Sequence, residues 1–235
     1  MALPPMTCSD FVDYALKHHR PPTTLVICST REAFLEDLLA SVKRTPSQEP
    51  SASQPNNERT SQHSLLIPTI YLIAKSQSVH VVCVPTLPRL RALLATRNLA
   101  SNSGQSTYDV DHLGYYSRGS ICTLLAIWGL ANLHHSTAEH SAQGLSRTLA
   151  SAVETASRRG DRLVLSEPLA MQGGAGLENA ELTEGTTTDP WKEQVPLLSG
   201  SVRFGGEDRA WAGKTIEVGR VIARWCRFVR LDQRL

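Results

Sequence analysis

Short, uncharged apolar runs alternating with segments of helical spacing are what most constrain this chain. Thr24–Cys28 (TLVIC), Val79–Val84 (VHVVCV), Ile121–Trp128 (ICTLLAIW) and Leu163–Ser166 (LVLS) lack the polar alternation of a half-exposed strand. Such runs read as strands buried on both faces. Between them, Phe34, Leu35, Leu38 and Leu39, then Leu90, Leu93 and Leu94, then Leu145, Leu149, Val153 and Ala156 recur three to four residues apart, which lays each set on one side of a helix. Strand and helix taking turns predict an α/β fold whose mainly parallel sheet carries helices on both faces.

Capping residues set the expected boundaries. Ser9 is expected to open a helix with Phe11, Val12, Ala15 and Leu16 on its apolar side, ended by Pro21-Pro22. Residues 1–22 then form an N-terminal helical lid on a single domain spanning 23–235. Ser29 or Thr30 is placed to cap the second helix, Pro68 and Pro88 suit first helical turns, and Gly160 suits a helix end, since proline fixes φ and glycine alone enters the left-handed region without penalty. Arg89, Arg91 and Arg97 are expected to face water. Stretches near 44–63, 100–114 and 171–189 are rich in Ser, Thr, Pro, Gln, Gly or Glu and read as disordered or mobile insertions, because they cannot bury enough apolar surface to offset ordering.

Composition excludes some classes of function. With 235 residues, 41% hydrophobic and 20% charged, the chain can bury one sizeable core. A net charge of +2 is too close to balance for the whole surface to trap polyanions, so any nucleic-acid role must come from local charge. The longest apolar run, Ile121–Leu133, is too short to span a bilayer. Asp10 and Asp13 fall where a secretory signal would be free of acids. Cys8, Cys28, Cys83, Cys122 and Cys226 are odd in number and irregularly spaced. That pattern predicts reduced thiols in an intracellular protein.

Chemical motifs are sparse. Gly213-Lys214-Thr215 mimics the end of a phosphate loop, but Asp208 stands where its first glycine belongs, and no apolar strand leads into it. His134, His135, Glu139 and His140 cluster after the third strand; on a helix His135 and Glu139 would share a face, a pair that does not close a metal site. No Gly-x-Ser-x-Gly elbow is present, and no cysteine has an ordered His partner.

The C-terminal segment is more distinctive. From Arg209 to Leu235, Arg209, Lys214, Arg220, Arg224, Arg227, Arg230 and Arg234 face only Glu217 and Asp232. Val218, Val221, Ile222, Trp225 and Val229 fit one helical side and Arg220, Arg224 and Arg227 another, so the spacing predicts a basic amphipathic helix docked by Trp225. Those arginines, with Arg230, Lys214, Trp211 and Trp225, form a candidate surface for nucleic acid or a protein partner, solvation alone being the third reading. Trp191, beside Val195, Pro196 and Leu197, is expected to pin its loop to the core or to stand exposed as a partner anchor.

The order of elements over residues 23–168 resembles the RecA-like recombinase fold, including its nucleotide-free paralogues in repair complexes and the ring-forming subunits of Elongator. In that family the first strand runs into a glycine-rich loop ending in Lys-Ser or Lys-Thr. Here the matching stretch is Cys28-Ser29-Thr30-Arg31-Glu32-Ala33, without glycine or lysine. The family's acidic residue after a later strand is also missing, since Leu124–Trp128 leads to Gly129, Leu130, Ala131 and Asn132. The resemblance therefore implies a RecA-like subunit without ATPase activity or cofactor, in the nucleus rather than the cytoplasm, paired with similar subunits in recombinational DNA repair and contacting DNA through its tail. An Elongator-like tRNA-modification subunit is the alternative. From another class, a hydrolase or other enzyme would use the crevice at the strand C-termini, lined by Ser29, Arg31, Asn132, His134 and Glu167.

Overall fold

The computed structural model describes residues 1–18, 22–44, 63–101, 123–169, 189–198 and 214–229. Four strands, β1 (Thr23–Ile27), β2 (Val79–Cys83), β3 (Leu124–Trp128) and β4 (Arg162–Ser166), form a parallel sheet in the order β2-β1-β3-β4. The strands lie in register, with Thr23 opposite Val79 and Leu124, and Leu124 opposite Arg162. The chain winds outward from β1 in both directions. The strand order therefore reverses between β1 and β3, the arrangement of flavodoxin-type doubly wound sheets.

Alternate residues along each strand point to opposite faces, and each face has its own core. On one, Leu25, Ile27, Leu124, Ala126, Trp128 and Val164 pack with Phe11 and Ala15 of α1 (Cys8–His18) and Phe34 of α2 (Arg31–Arg44). On the other, Val26, Leu125, Ile127, Leu163 and Leu165 meet Leu90 and Leu94 of α4 (Leu87–Ser101), Leu145, Leu149 and Ala156 of α6 (Ala142–Arg159), and Val218, Val221 and Ile222 of α7 (Val218–Ala223). Two shorter helices complete the set, α3 (Ile70–Ser76) and α5 (Leu130–His135).

The helices start and stop where side chains can satisfy free backbone groups. Ser141 Oγ accepts from Gly144 N at 3.1 Å to open α6, and Gly160 closes it at φ 68°. Thr30 Oγ1 accepts from Ala33 N to open α2. Thr7, two residues before the expected Ser9, caps α1 through Asp10 N. Pro68 precedes the cap Thr69 rather than entering α3, whose first turn is held by Leu72 N donating to Thr69 Oγ1.

Three sequence expectations need correcting. The second strand is an edge strand: its five residues are half-buried or exposed, because among the described residues it pairs only with β1. In α2, Leu35 and Leu39 are exposed, because only the Phe34 side meets the sheet. Two of the arginines expected in water are engaged: Arg91 forks onto Glu139, while Arg97 donates to Thr24 Oγ1 at 2.9 Å and pairs with buried Asp161 at 3.2 Å.

The N-terminal residues are more than a lid. Met1 donates to Leu163 O and accepts from Leu165 N, and Leu3 donates to Leu165 O, setting Ala2 in parallel beside β4. On its other side Ala2 pairs in parallel with Phe228, Ala2 N reaching Arg227 O at 2.7 Å and Val229 N reaching Ala2 O at 2.9 Å. Pro4-Pro5 interrupts this line, having no N–H to donate; it resumes where Met6 pairs with Pro168. Ala2 and Leu3 are fully buried. A small antiparallel pair, β5 (Gln194–Pro196) with β6 (Thr215–Glu217), stands apart from the main sheet.

Candidate functional site

In a doubly wound sheet the ligand crevice opens at the strand C-termini where the order reverses, here between β1 and β3. Only Cys28, Ser29 and Thr30 separate β1 from α2, too few for a loop that wraps a phosphate. Cys28 N donates to Trp128 O and Gly129 N to Ser166 O, both at 2.9 Å, so the backbone there is already paired. Gly129 sits at φ 78°, and a Cβ built on it would lie 3.8 Å from Cys28 Cβ and 3.9 Å from Pro168 Cδ. The floor of the crevice is therefore lined by paired backbone, with ordinary van der Waals room beside Gly129.

Glu167 follows β4 at the same end of the sheet. Its carboxylate, 1% exposed, accepts from Ala131 N at 2.8 Å and Asn132 N at 3.2 Å, the free N–H groups that open α5. A protein carboxylate thus satisfies N–H groups at a helix start, which would otherwise need water or another acceptor. Burial pushes its pKa up from 4.5 to about 7, against the backbone hydrogen bonds that favour the ionised form.

The other crevice candidates do not converge with Glu167. Ser29 is half-buried, and Arg31 and Asn132 are exposed. His134 is fully buried, its Nδ1 paired with Glu139 O and its Nε2 with Thr148 Oγ1, both at 3.1 Å. Burial lowers its pKa, holding the ring neutral. The Cys28 thiol, also buried, is raised well above its ordinary range by desolvation and then by Glu167, the reverse of an activated nucleophile.

The histidine cluster also divides. Helix α5 ends at His135, so Glu139 is not on its face. Its carboxylate turns to Arg91, whose hydrogen bond lowers its pKa. His135 and His140 instead approach Glu193 at 3.7 and 3.3 Å. Among the described residues no group of three or more His, Cys, Asp or Glu side chains is arranged to hold a metal ion.

The basic C-terminal segment runs along the β4 side of the sheet, from the pairing of β6 with β5 to the pairing of Phe228 with Ala2. Its helix is shorter than the spacing predicts. It ends at Ala223, and after the turn at Arg224 and Trp225 the chain extends to pair with Ala2. The free N–H and C=O of Ala2 reward that extension, which a longer helix would forfeit. Arg220, Arg224 and Arg227 are exposed, as is Lys214, whose carbonyl accepts from Leu197 N. Among the described residues none of the three arginines is ion-paired, whereas Arg97, Arg147, Arg158 and Arg159 each face a carboxylate. Trp225 does not dock the helix; 39% of it is exposed. Arg230, Trp211 and Gly213 fall outside the described residues.

Trp191 is a core residue, 7% exposed, with its ring edge-on to Phe228 at 5.6 Å and its carbonyl 2.9 Å from where a Cβ on Gly219 would sit. It holds residues 189–198 against α7, the first of the two roles expected for it.

Sequence reasoning missed the exposed apolar row on α3. Leu66, Ile67, Ile70, Tyr71, Ile73 and Val81 are all exposed, Ile70 at 87%. The signal was the apolar composition of residues 65–74, interrupted by Pro68 and Thr69 alone.

Among the described residues no helix is long and apolar enough to cross a membrane. Comparison with curated proteins and with solved structures returns no match. A family model described as SPAC22G7.03-like matches residues 110–231, the stretch that holds β3, α6, β4 and the basic segment. Since that match spans just over half of the 235 residues, the chain belongs to the SPAC22G7.03-like family.

Proposed function

We propose that this chain is a non-catalytic α/β subunit of a multiprotein assembly, joined to its neighbours through the β2 and α3 side of the fold. The observation that carries the reading is the row of apolar side chains exposed there, from Leu66 to Ile73 and on to Val81. Ordinary surfaces carry such residues singly, and a contiguous group marks an interaction site. The strand beside them offers an unpaired edge among the described residues and carries no charge to discourage pairing. At the crevice, Glu167 is spent on α5, and His134 and Cys28 are buried, which favours a scaffold over an enzyme.

The narrower proposal is a RecA-like subunit without nucleotide, working beside similar subunits in recombinational DNA repair in the nucleus. Its support is the parallel sheet with helices on both faces, together with the absence of glycine and lysine after β1 and of an acid after β3. Doubly wound folds of many functions share that sheet, so the partner decides the matter.

The test is purification of the tagged full chain from its own cells, beside a variant carrying Ile70→Glu and Val81→Lys. The wild type is expected to retain a stoichiometric protein partner that the variant loses, with melting temperature unchanged because both side chains are exposed. RecA-like partners would support the repair reading, and Elongator subunits its alternative. A monodisperse monomer without a stoichiometric partner would overturn the scaffold reading.

A further inference from the structure

We propose that the surface around Trp225 binds single-stranded nucleic acid, the indole stacking on one base while Arg162, Arg224 and Arg227 engage the flanking phosphates. A shallow depression of about 270 Å³ opens beside Trp225, with Met1, Ala156, Asp161, Arg162 and Leu163 in its lining. It lies at the N-terminal end of β4, away from the crevice at the strand C-termini.

Charge and exposure converge there. Arg162, Arg224 and Arg227 are exposed and have no carboxylate partner among the described residues; the Arg162 guanidinium lies 3.1 Å from the Met1 sulfur. Asp161, the one acid in the lining, is neutralised by Arg97 at 3.2 Å and Arg159 at 3.4 Å. What remains is a local excess of positive charge around a half-exposed indole, on a chain whose net charge is only +2.

Single strands fit this surface better than duplex. A duplex keeps its bases stacked on one another, whereas an unpaired base can lay its face on an aromatic ring, with arginines following the backbone. The depression is smaller than the roughly 300–1,000 Å³ of pockets that enclose a drug-sized ligand. An open ledge of this kind suits stacking from one side.

The site lies at the sheet edge opposite β2, so this inference stands apart from the scaffold reading. It is tested by fluorescence anisotropy on the full chain with labelled oligothymidylate, oligouridylate and a duplex over a range of salt. Binding to a single strand in preference to the duplex is expected, the DNA and RNA arms identifying which strand is preferred. Trp225→Ala should weaken binding about tenfold or more, with Trp225→Phe retaining most of the affinity. Arg224→Ala with Arg227→Ala should reduce the slope of log affinity against log salt by about 1.4, near 0.7 for each phosphate contact. Those arginines are exposed, so that variant reports on binding even if Trp225→Ala fails to fold. No single-strand binding at low salt, equal binding to duplex, equal competition by polyglutamate, or an unchanged salt slope would each overturn the proposal.

Discussion

Glu167 is the residue whose environment departs furthest from its chemistry. Buried and hydrogen-bonded to two amide groups, its carboxyl has a pKa of about 7 in the fold, against 4.5 in an ordinary environment. A raised folded-state pKa means that the native state binds more protons than the unfolded chain between those values. Its contribution is therefore most favourable below pH 4.5 and is lost as pH rises toward 7. Glu167→Gln keeps an acceptor for α5 while removing the titration. Urea unfolding at a series of pH values should show the wild type losing stability relative to Glu167→Gln across that window. Parallel pH profiles would refute this account. The sequence singled out Glu167 as an acid at a strand end, but nothing in its neighbours revealed that its oxygens face the start of α5 across the chain reversal. That pairing joins residues 35 and 36 positions apart, beyond the reach of local pattern.

Among the elements, α6 was the most legible and α7 the least. Ser141, the Leu145 and Leu149 spacing and Gly160 state the start, the inner side and the end of α6 within its own residues. Helix α7 stops where Ala2 supplies backbone partners, a cause found only at the far end of the sequence. Long-range polar ties were hidden in the same way. Arg97 on α4 reads as a solvated arginine from its spacing, yet it bridges Thr24 of β1 and Asp161 at the foot of β4. Asp161 is 1% exposed on its side chain, and burial depresses the Arg97 pKa. Removing the charge of Asp161 leaves Arg97 and Arg159 facing each other without compensation. Asp161→Asn is expected to cost about 3 kcal/mol of stability by denaturant unfolding, as for a broken buried pair. A loss below about 0.5 kcal/mol would place the pair with surface ion pairs instead.

At the scale of the molecule, the alternation of strands and helices was readable, because both periodicities are local, whereas the strand order and the two sheet edges were not. One edge, β2, exposes Val81 and follows directly on the apolar residues of α3, and the other is closed by residues 1–6 and then by residues 227–229. Short and broken by Pro4-Pro5, the N-terminal strand has no alternation to betray it. Ala2→Glu, which forces a charge between two backbone partners, is expected to destabilise the fold by several kcal/mol and to remove hydrogen-exchange protection from the Leu165 amide, which donates to Met1 O. Protection that survives would mean that this edge holds without Ala2. The closed edge also orders events in time. Residues 1–6 are synthesised before either of the segments that flank them, so during translation they must wait for 162–166 to emerge and are sealed in only when 227–229 arrive. Any chain stopped short of that last segment keeps a raw sheet margin beside its N-terminus, a margin to which another protein's strand, or a chaperone, could attach.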